Sequence, residues 1–153
     1  MRVIHRLLLS MAVMAAWLPS VALADEMAMM RSERDFEDTM NSLQRAISSR
    51  GYTVSRVQRV DVGLEAKGYA TDKYRVVFYG KPTEVTALAE RHPELIPFLP
   101  LSVAIFAEAG QTLLATNRPG TLKNFFPAPE LKPTFEQWEK DLVDIFDEVR
   151  RAR

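Results

Sequence analysis

The sequence predicts an α+β fold, in which a mainly antiparallel sheet carries helices on one face as two layers. Three observations lead to this prediction. Segments with helical periodicity and segments rich in valine and aromatic residues follow one another along the chain. Proline and glycine separate these segments. Two apolar runs are joined by a short turn that contains Gly110, which predicts a hairpin and therefore antiparallel strands.

The first 24 residues have the three parts of a secretory signal peptide. Arg2 and Arg6 supply a positive start, an apolar stretch follows, and Ala22 and Ala24 place small side chains at the cleavage positions. We expect cleavage after Ala24, which leaves residues 25–153 as one domain in the periplasm or outside the cell. A retained membrane anchor is the alternative, because the apolar stretch is nearly long enough to span a bilayer. We expect no membrane span once the signal is removed.

Removal of the signal peptide changes the composition in a way that bears on function. The remaining 129 residues carry 18 basic and 20 acidic side chains, a net charge of about −2, and a single histidine, His92. Nucleic acid binding depends on basic residues that displace counterions, so we expect no nucleic acid partner. The chain has no cysteine, and its stability must therefore come from a hydrophobic core, which a domain of this size can supply.

The first predicted elements are a strand and a helix. A short strand over residues 27–30 is one option for the start of the domain. Ser32 and Asp35 resemble the capping residues of a helix, and Gly51 ends it. Its apolar face repeats at helical spacing, at Phe36, Met40, Leu43 and Ile47.

Two strands are predicted next. Residues 52–60 are rich in valine, but the valines cannot all point to one side of a regular strand, which predicts a bulge near Ser55 or Arg56. Residues 74–79 are apolar and aromatic except for Arg75, a pattern typical of an interior strand.

The second half of the chain predicts a helix, a hairpin and a final helix. Pro82 opens a helix that ends near His92. Residues 101–107 and 112–116 form the hairpin. A capping box that begins at Pro133-Thr134 starts the final helix, whose apolar face contains Trp138, Leu142, Ile145 and Val149.

Five landmarks occur in order through the middle of the chain. They are Asp61, Gly80-Lys81-Pro82, Leu99-Pro100-Leu101, Gly110 and Asn117-Arg118-Pro119. Their order and spacing over residues 36–126 resemble the DUF302 family. This resemblance implies a compact α+β domain, often dimeric, whose biochemical role is not established.

The chain also departs from the pattern of the family it resembles. Relatives often have Asp-His where this chain has Asp61-Val62, so any ligand or metal role of that histidine does not carry over. Relatives also often have Gly-Asn-Pro at the position where this chain has Gly80-Lys81-Pro82. Others have a cysteine at the position of Leu101, and thiol chemistry is therefore not expected here.

Few residues indicate catalysis. His92 and Glu94 offer only two metal ligands, whereas zinc usually takes three or four, so we expect no metal and no cofactor; capping of a helix end is the ordinary role of His92. A serine hydrolase would need a Gly-x-Ser-x-Gly elbow, which is missing. Asp141, Asp144 and Glu148 share one helix face, which indicates a solvated surface more than a pair of acid/base carboxylates.

Four further residues are candidates for binding. Arg56 and Arg59 could together contact an anionic ligand, although charges that protect a strand edge are the more ordinary interpretation. Phe125 and Phe126 are adjacent, so either one of them is exposed as a contact for a partner or both pack beneath the loop that follows.

We therefore predict an exported, non-catalytic domain that binds a ligand or assembles with protein. The alternatives are a hydrolase-like enzyme that uses carboxylates or backbone donors in a pocket, and an accessory subunit that docks to another exported protein. We also expect a homodimer. The strand over residues 101–107 is apolar on both faces, so it is either central in the sheet or covered by a partner.

Overall fold

A computed structural model describes residues 26–152 of the chain. The predicted signal peptide and its cleavage site at Ala24 lie outside these residues. Five strands form one antiparallel sheet: β1 Met27–Ser32, β2 Thr53–Arg59, β3 Tyr74–Gly80, β4 Leu101–Glu108 and β5 Gln111–Asn117. Their order in the sheet is β1-β5-β4-β3-β2. The strand that is apolar on both faces, β4, is therefore the central one.

The helices pack against one face of this sheet and confirm the α+β prediction. They are α1 Phe36–Ser49, α2 Val60–Glu65, α3 Pro82–Arg91 and α4 Lys132–Arg151, with 3₁₀ turns at Pro93–Phe98 and Pro119–Asn124. One side of the sheet contributes Val77, Val103, Ile105 and Leu114 to a core that also contains Leu43, Ile47 and Ile145 from α1 and α4. All seven side chains are fully shielded from solvent.

The start of each long helix differs from its prediction. Asp35 is the N-cap of α1 and accepts a hydrogen bond from the backbone N–H of Asp38 at 2.8 Å, whereas Ser32 is the last residue of β1. The predicted capping box of α4 is wrong, because this helix begins at Lys132 and has no side-chain cap. Pro133 instead lies in its first turn, where a residue without an N–H is tolerated.

The predicted bulge lies in β2. Val54 is opposite Tyr79 and Arg56 is opposite Phe78, so Ser55 is the extra residue. The bulge places Val54 and Val57 on the same side of the sheet, which a regular strand could not do.

The hairpin between β4 and β5 is confirmed. Glu108 is opposite Gln111, and the two residues between them, Ala109 and Gly110, have φ values of 49° and 79°. Two successive positive φ angles match the twist of the flanking strands in a tight hairpin, and glycine adopts them without strain. Over residues 26–152, none of the helices has the length and apolarity needed to cross a membrane.

Candidate functional site

The side of the sheet that faces away from α1 and α4 carries a continuous apolar surface, which we call the outer face. Strand alternation and cross-strand register place nine apolar side chains there: Met27, Met29, Tyr74, Val76, Phe78, Ala104, Phe106, Leu113 and Ala115. None of these nine belongs to the core beneath the helices. All except Leu113 are partly or fully exposed. The sheet therefore has apolar residues on both faces and helices on one.

An uncharged row crosses the whole outer face. The register aligns one residue from each strand in the order Met29, Ala115, Ala104, Val76 and Gln58. The two alanines are directly opposite one another at the middle of the sheet. Small side chains at this point leave room for another protein surface to approach closely.

Larger apolar side chains lie beside this row. Leu113 is opposite Phe106, and Phe106 is opposite Tyr74. The rings of Tyr74 and Phe106 meet edge to face with centroids 5.9 Å apart. This geometry is favourable for aromatic pairs, so the rings are held in place on the surface.

Charged side chains occur at the margins of the outer face. At one corner Arg31 Nη1 lies 2.9 Å from Glu108 Oε2. At the opposite corner the guanidinium of Arg56 lies 4.5 Å from the ring centroid of Phe78. An apolar centre with a polar rim is the usual anatomy of a protein–protein interface.

The two predicted arginine candidates are not brought together. Arg56 shares the outer face with Gln58, whereas Arg59 is opposite Arg75 and alternates to the side of the helices. Because the two guanidinium groups lie on opposite sides of the sheet, this arrangement does not support one anionic ligand in contact with both. Arg56 belongs to the outer face, and Arg59 does not.

His92 lies at the C-terminal end of α3. Its Nδ1 is 3.2 Å from Oε1 of Glu94, and its backbone N–H donates to the carbonyl of Leu88. The residue therefore takes part in closing the helix. Within residues 26–152, acidic and histidine side chains do not gather into groups of three that could hold a metal ion.

The adjacent phenylalanines point in different directions. Phe125 is 70% exposed, whereas the ring of Phe126 lies 5.4 Å from that of Phe98 and 6.4 Å from that of Phe135. One ring is thus available to solvent and the other packs against the core. One ring of the pair is therefore exposed, as the first alternative requires, and its contact with a partner stays a prediction.

A buried ion pair joins the start of α2 to β3. Asp61 Oδ2 contacts Arg75 Nη1, and Asp61 Oδ1 accepts from the backbone N–H of Val62 at 2.9 Å. Burial by itself would raise the pKa of Asp61, but the hydrogen bonds from Arg75 and Val62 outweigh it and hold that pKa below its usual value. The guanidinium of Arg75 also lies 5.6 Å from the ring centroid of Phe36.

A second polar network lies between α4 and the start of β2. Asp141 accepts a hydrogen bond from the hydroxyl of Tyr52 at 2.7 Å and another from Nε2 of Gln137 at 2.9 Å. Burial and the hydrogen bond to Asp141 raise the pKa of Tyr52, and burial raises the pKa of Tyr79. The interpretation of Asp141 as part of a solvated face is wrong, because only 9% of the residue is exposed.

Several landmarks of the family resemblance hold the fold together. A Cβ atom on Gly80 would lie 2.8 Å from Cγ2 of Val85, so any larger residue here would force Val85 of α3 to move. Nε of Arg118 donates to Oε1 of Glu139 at 2.7 Å and ties the end of β5 to α4. These residues have structural roles that account for the spacing seen in the sequence.

Comparison with known proteins agrees with the fold. The family model described as "Domain of unknown function DUF302" matches residues 29–149. A crystal structure of an uncharacterised conserved DUF302 protein from Bacillus stearothermophilus superposes with a TM-score of 0.75. The two chains are 21% identical, and the match covers 83% of this chain and 100% of the other. At this identity the likeness shows the fold alone. A comparison with curated proteins found no match.

Proposed function

This chain belongs to the DUF302 family, and from that premise we propose that its domain is an exported, non-catalytic assembly module that joins a second copy through the outer face. The uncharged row from Met29 to Gln58 carries the proposal. This row crosses all five strands, and no helix within residues 26–152 lies above it. Such an open apolar sheet face is normally covered by another protein surface.

The size of the outer face supports a dimer. Five strands about 4.8 Å apart, with about six residues each at about 3.3 Å per residue, make a surface of about 24 by 20 Å. Two such surfaces in contact bury about 1,000 Å² in total, which is the lower limit for a specific protein–protein interface. The outer face is therefore large enough to bind a second copy, provided that nearly all of its surface takes part in the contact.

The distribution of charge on the outer face favours a second copy of the chain as the partner. A two-fold interface uses the same patch on both subunits, so it needs a patch that does not repel itself. Here Ala104 and Ala115 are opposite one another near the middle of the outer face, and the charges of Arg31, Glu108 and Arg56 lie at its corners. Two sheets packed about 10 Å apart bring apolar centres together and leave those charges in solvent.

Export is the second part of this proposal, and it depends on the sequence. Arg2, Arg6 and the small residues before Asp25 have the order of a cleaved signal peptide. The assembly would then operate in the periplasm or outside the cell. A cysteine-free core is suited to that compartment because no thiol is open to oxidation.

The experiment compares two single substitutions by sedimentation velocity on residues 25–153. Phe106→Lys places a charge on the outer face, and we expect a native circular dichroism spectrum and much weaker association than in the natural chain. Val143→Lys is the matched control, since this α4 residue is apolar and 44% exposed in the helical layer; it should leave the dimer intact. If Phe106→Lys unfolds, Ala104→Glu tests the same face at its centre. A folded variant with either charge that associates as strongly as natural residues 25–153 would overturn the proposal.

A further inference from the structure

The two edge strands of the sheet are protected to different degrees. Edges expose unpaired backbone groups, and proteins usually guard them with charges, prolines or bulges. In β2 the bulge at Ser55 and the side chains of Arg56 and Arg59 do this. In β1 there is no proline, lysine or bulge. Its one charged residue, Arg31, is held back over the sheet by Glu108 at 2.9 Å and Gln111 at 3.4 Å.

The backbone groups that β1 leaves unpaired can be identified from its pairing with β5. The N–H of Arg118 donates to the carbonyl of Glu26 at 2.8 Å, one step beyond the opposed residues Met27 and Asn117. In an antiparallel ladder, hydrogen-bonded pairs alternate with pairs that make no such bonds. The residues bonded to β5 are therefore Ala28, Met30 and Ser32. The N–H and C=O groups of Met27, Met29 and Arg31 point away from the sheet.

No strand lies beyond β1 in the part of the chain that the structure describes. Six backbone groups in a row, three donors and three acceptors, are thus directed outward over five residues. Met27 and Met29 are also 47% and 59% exposed on the outer face. This edge has both the hydrogen-bonding pattern and the apolar side chains of a surface to which another strand can add.

We propose that this edge pairs with β1 of a second copy, antiparallel, with Met29 opposite Met29 of that copy. This register is two-fold symmetric. It sets Met27 opposite Arg31 of the second copy and Arg31 opposite Met27 of the second copy, so all six outward groups are paired. No like charges are directly opposite one another, and the flexible methionine side chains fill the seam.

The edge pairing is separate from the interface under the proposed function and does not rest on it. Face-to-face contact is centred on β4, the middle strand of the sheet, whereas strand addition uses the backbone at the margin. Pairing along β1 creates a ten-stranded sheet with all helices on one side and a doubled outer face on the other. A chain with both surfaces assembles beyond a dimer.

Cysteine cross-linking tests the register, because the natural chain has no cysteine. Hydrogen-bonded antiparallel pairs have Cα atoms about 5.5 Å apart, within the range of about 4.4–6.8 Å that a disulfide spans. Met29→Cys should give a disulfide-linked dimer under mild oxidation at low protein concentration. Val57→Cys, on the other edge strand and 36% exposed, is the matched control and should stay uncross-linked. Equal yields from the two variants would overturn the proposal.

Two more variants fix the alignment. Met27→Cys and Arg31→Cys should each remain monomeric on a non-reducing gel and should cross-link when mixed, because only the mixture sets the two cysteines opposite each other. Self-linking without mixed linking would rule out this register. Repeating Met29→Cys together with Phe106→Lys separates the two interfaces. If Met29→Cys cross-links both with and without Phe106→Lys, the edge pairs independently of the outer face. If Met29→Cys alone gives no cross-link while the natural chain forms a dimer that Phe106→Lys dissociates, the edge pairing is refuted and the proposed function stands.

Discussion

Arg75 on β3 and Asp61 at the start of α2 form an ion pair from which solvent is largely excluded, with side chains 13% and 9% exposed. The pair fixes a short helix to an interior strand and lies beside Phe36, the first residue of α1. Removing one partner leaves the other charged and buried, which is much less favourable than leaving the pair intact.

We predict that Asp61→Ala destabilises the domain by about 3–5 kcal/mol in urea unfolding, because it leaves Arg75 without its counter-charge. Asp147→Ala is the control. It removes an acid from the ion pair with Arg150, in which the two side chains are 58% and 35% exposed, and should cost less than about 1 kcal/mol. Similar losses in the two variants would refute a special role for the buried pair.

The same ion pair predicts a dependence of stability on pH. The pKa of Asp61 is lower in the folded protein than its ordinary value of 3.8. A carboxyl with a lowered pKa stabilises the fold above its unfolded-state pKa, and that contribution is lost as the pH falls through the folded-state pKa. Urea unfolding should therefore show a steep loss of stability below about pH 4. The Asp61→Ala variant should show a shallower loss, and an unchanged slope would contradict the assignment.

Tyr52 and Asp141 provide a test of the second network. Tyr52→Phe removes the hydroxyl that donates to the buried carboxylate at 2.7 Å, so we expect a loss of about 1–3 kcal/mol in unfolding free energy. Asp141→Asn and the double variant complete a mutant cycle. Strictly additive effects would show that the two groups do not interact.

The adjacent phenylalanines should differ in their effect on stability. Phe126→Ala removes ring contacts with Phe98 and Phe135, and we expect a loss of about 2–4 kcal/mol. Phe125→Ala should change stability by less than about 0.5 kcal/mol, because that ring is mostly in solvent. Thermal unfolding of the two variants side by side gives the comparison, and a reversed order would show that their placements are exchanged.

Local sequence patterns predicted most of the helices and strands. The valine spacing in β2 required a bulge, and the bulge occurs at Ser55. The helix α2 was missed because its two valines, Val60 and Val62, look like a continuation of the strand before them. Branched residues favour strands, and six residues are too few to show helical periodicity.

Sequence patterns did not predict the two polar networks. Tyr52 and Asp141 are 89 positions apart, and the spacing around each of them gives no sign of the other. Asp141 lies at helical spacing from Asp144 and Glu148, which made it look solvated. Its burial comes from tertiary packing, which overrides the polarity of a residue on its own helix. Arg75 was similarly visible only as an interruption in an apolar strand.

Export predicts a defined N-terminus. Intact mass measurement of protein recovered from the periplasmic or culture fraction should correspond to residues 25–153, because Ala22 and Ala24 fit the cleavage pocket. Replacing Ala24 with a bulky residue should abolish this species and leave the precursor in the membrane fraction. Recovery of the full chain from the cytoplasm would contradict the export prediction.

Sedimentation equilibrium of natural residues 25–153, over a hundredfold range of concentration, tests the central claim most directly. Contact between two outer faces would bury about 1,000 Å², so we predict reversible association with a dimer as its first step. The Phe106→Lys variant should lose that step under the same conditions. A natural protein that remains monomeric throughout, with a native circular dichroism spectrum, would contradict assembly through the outer face.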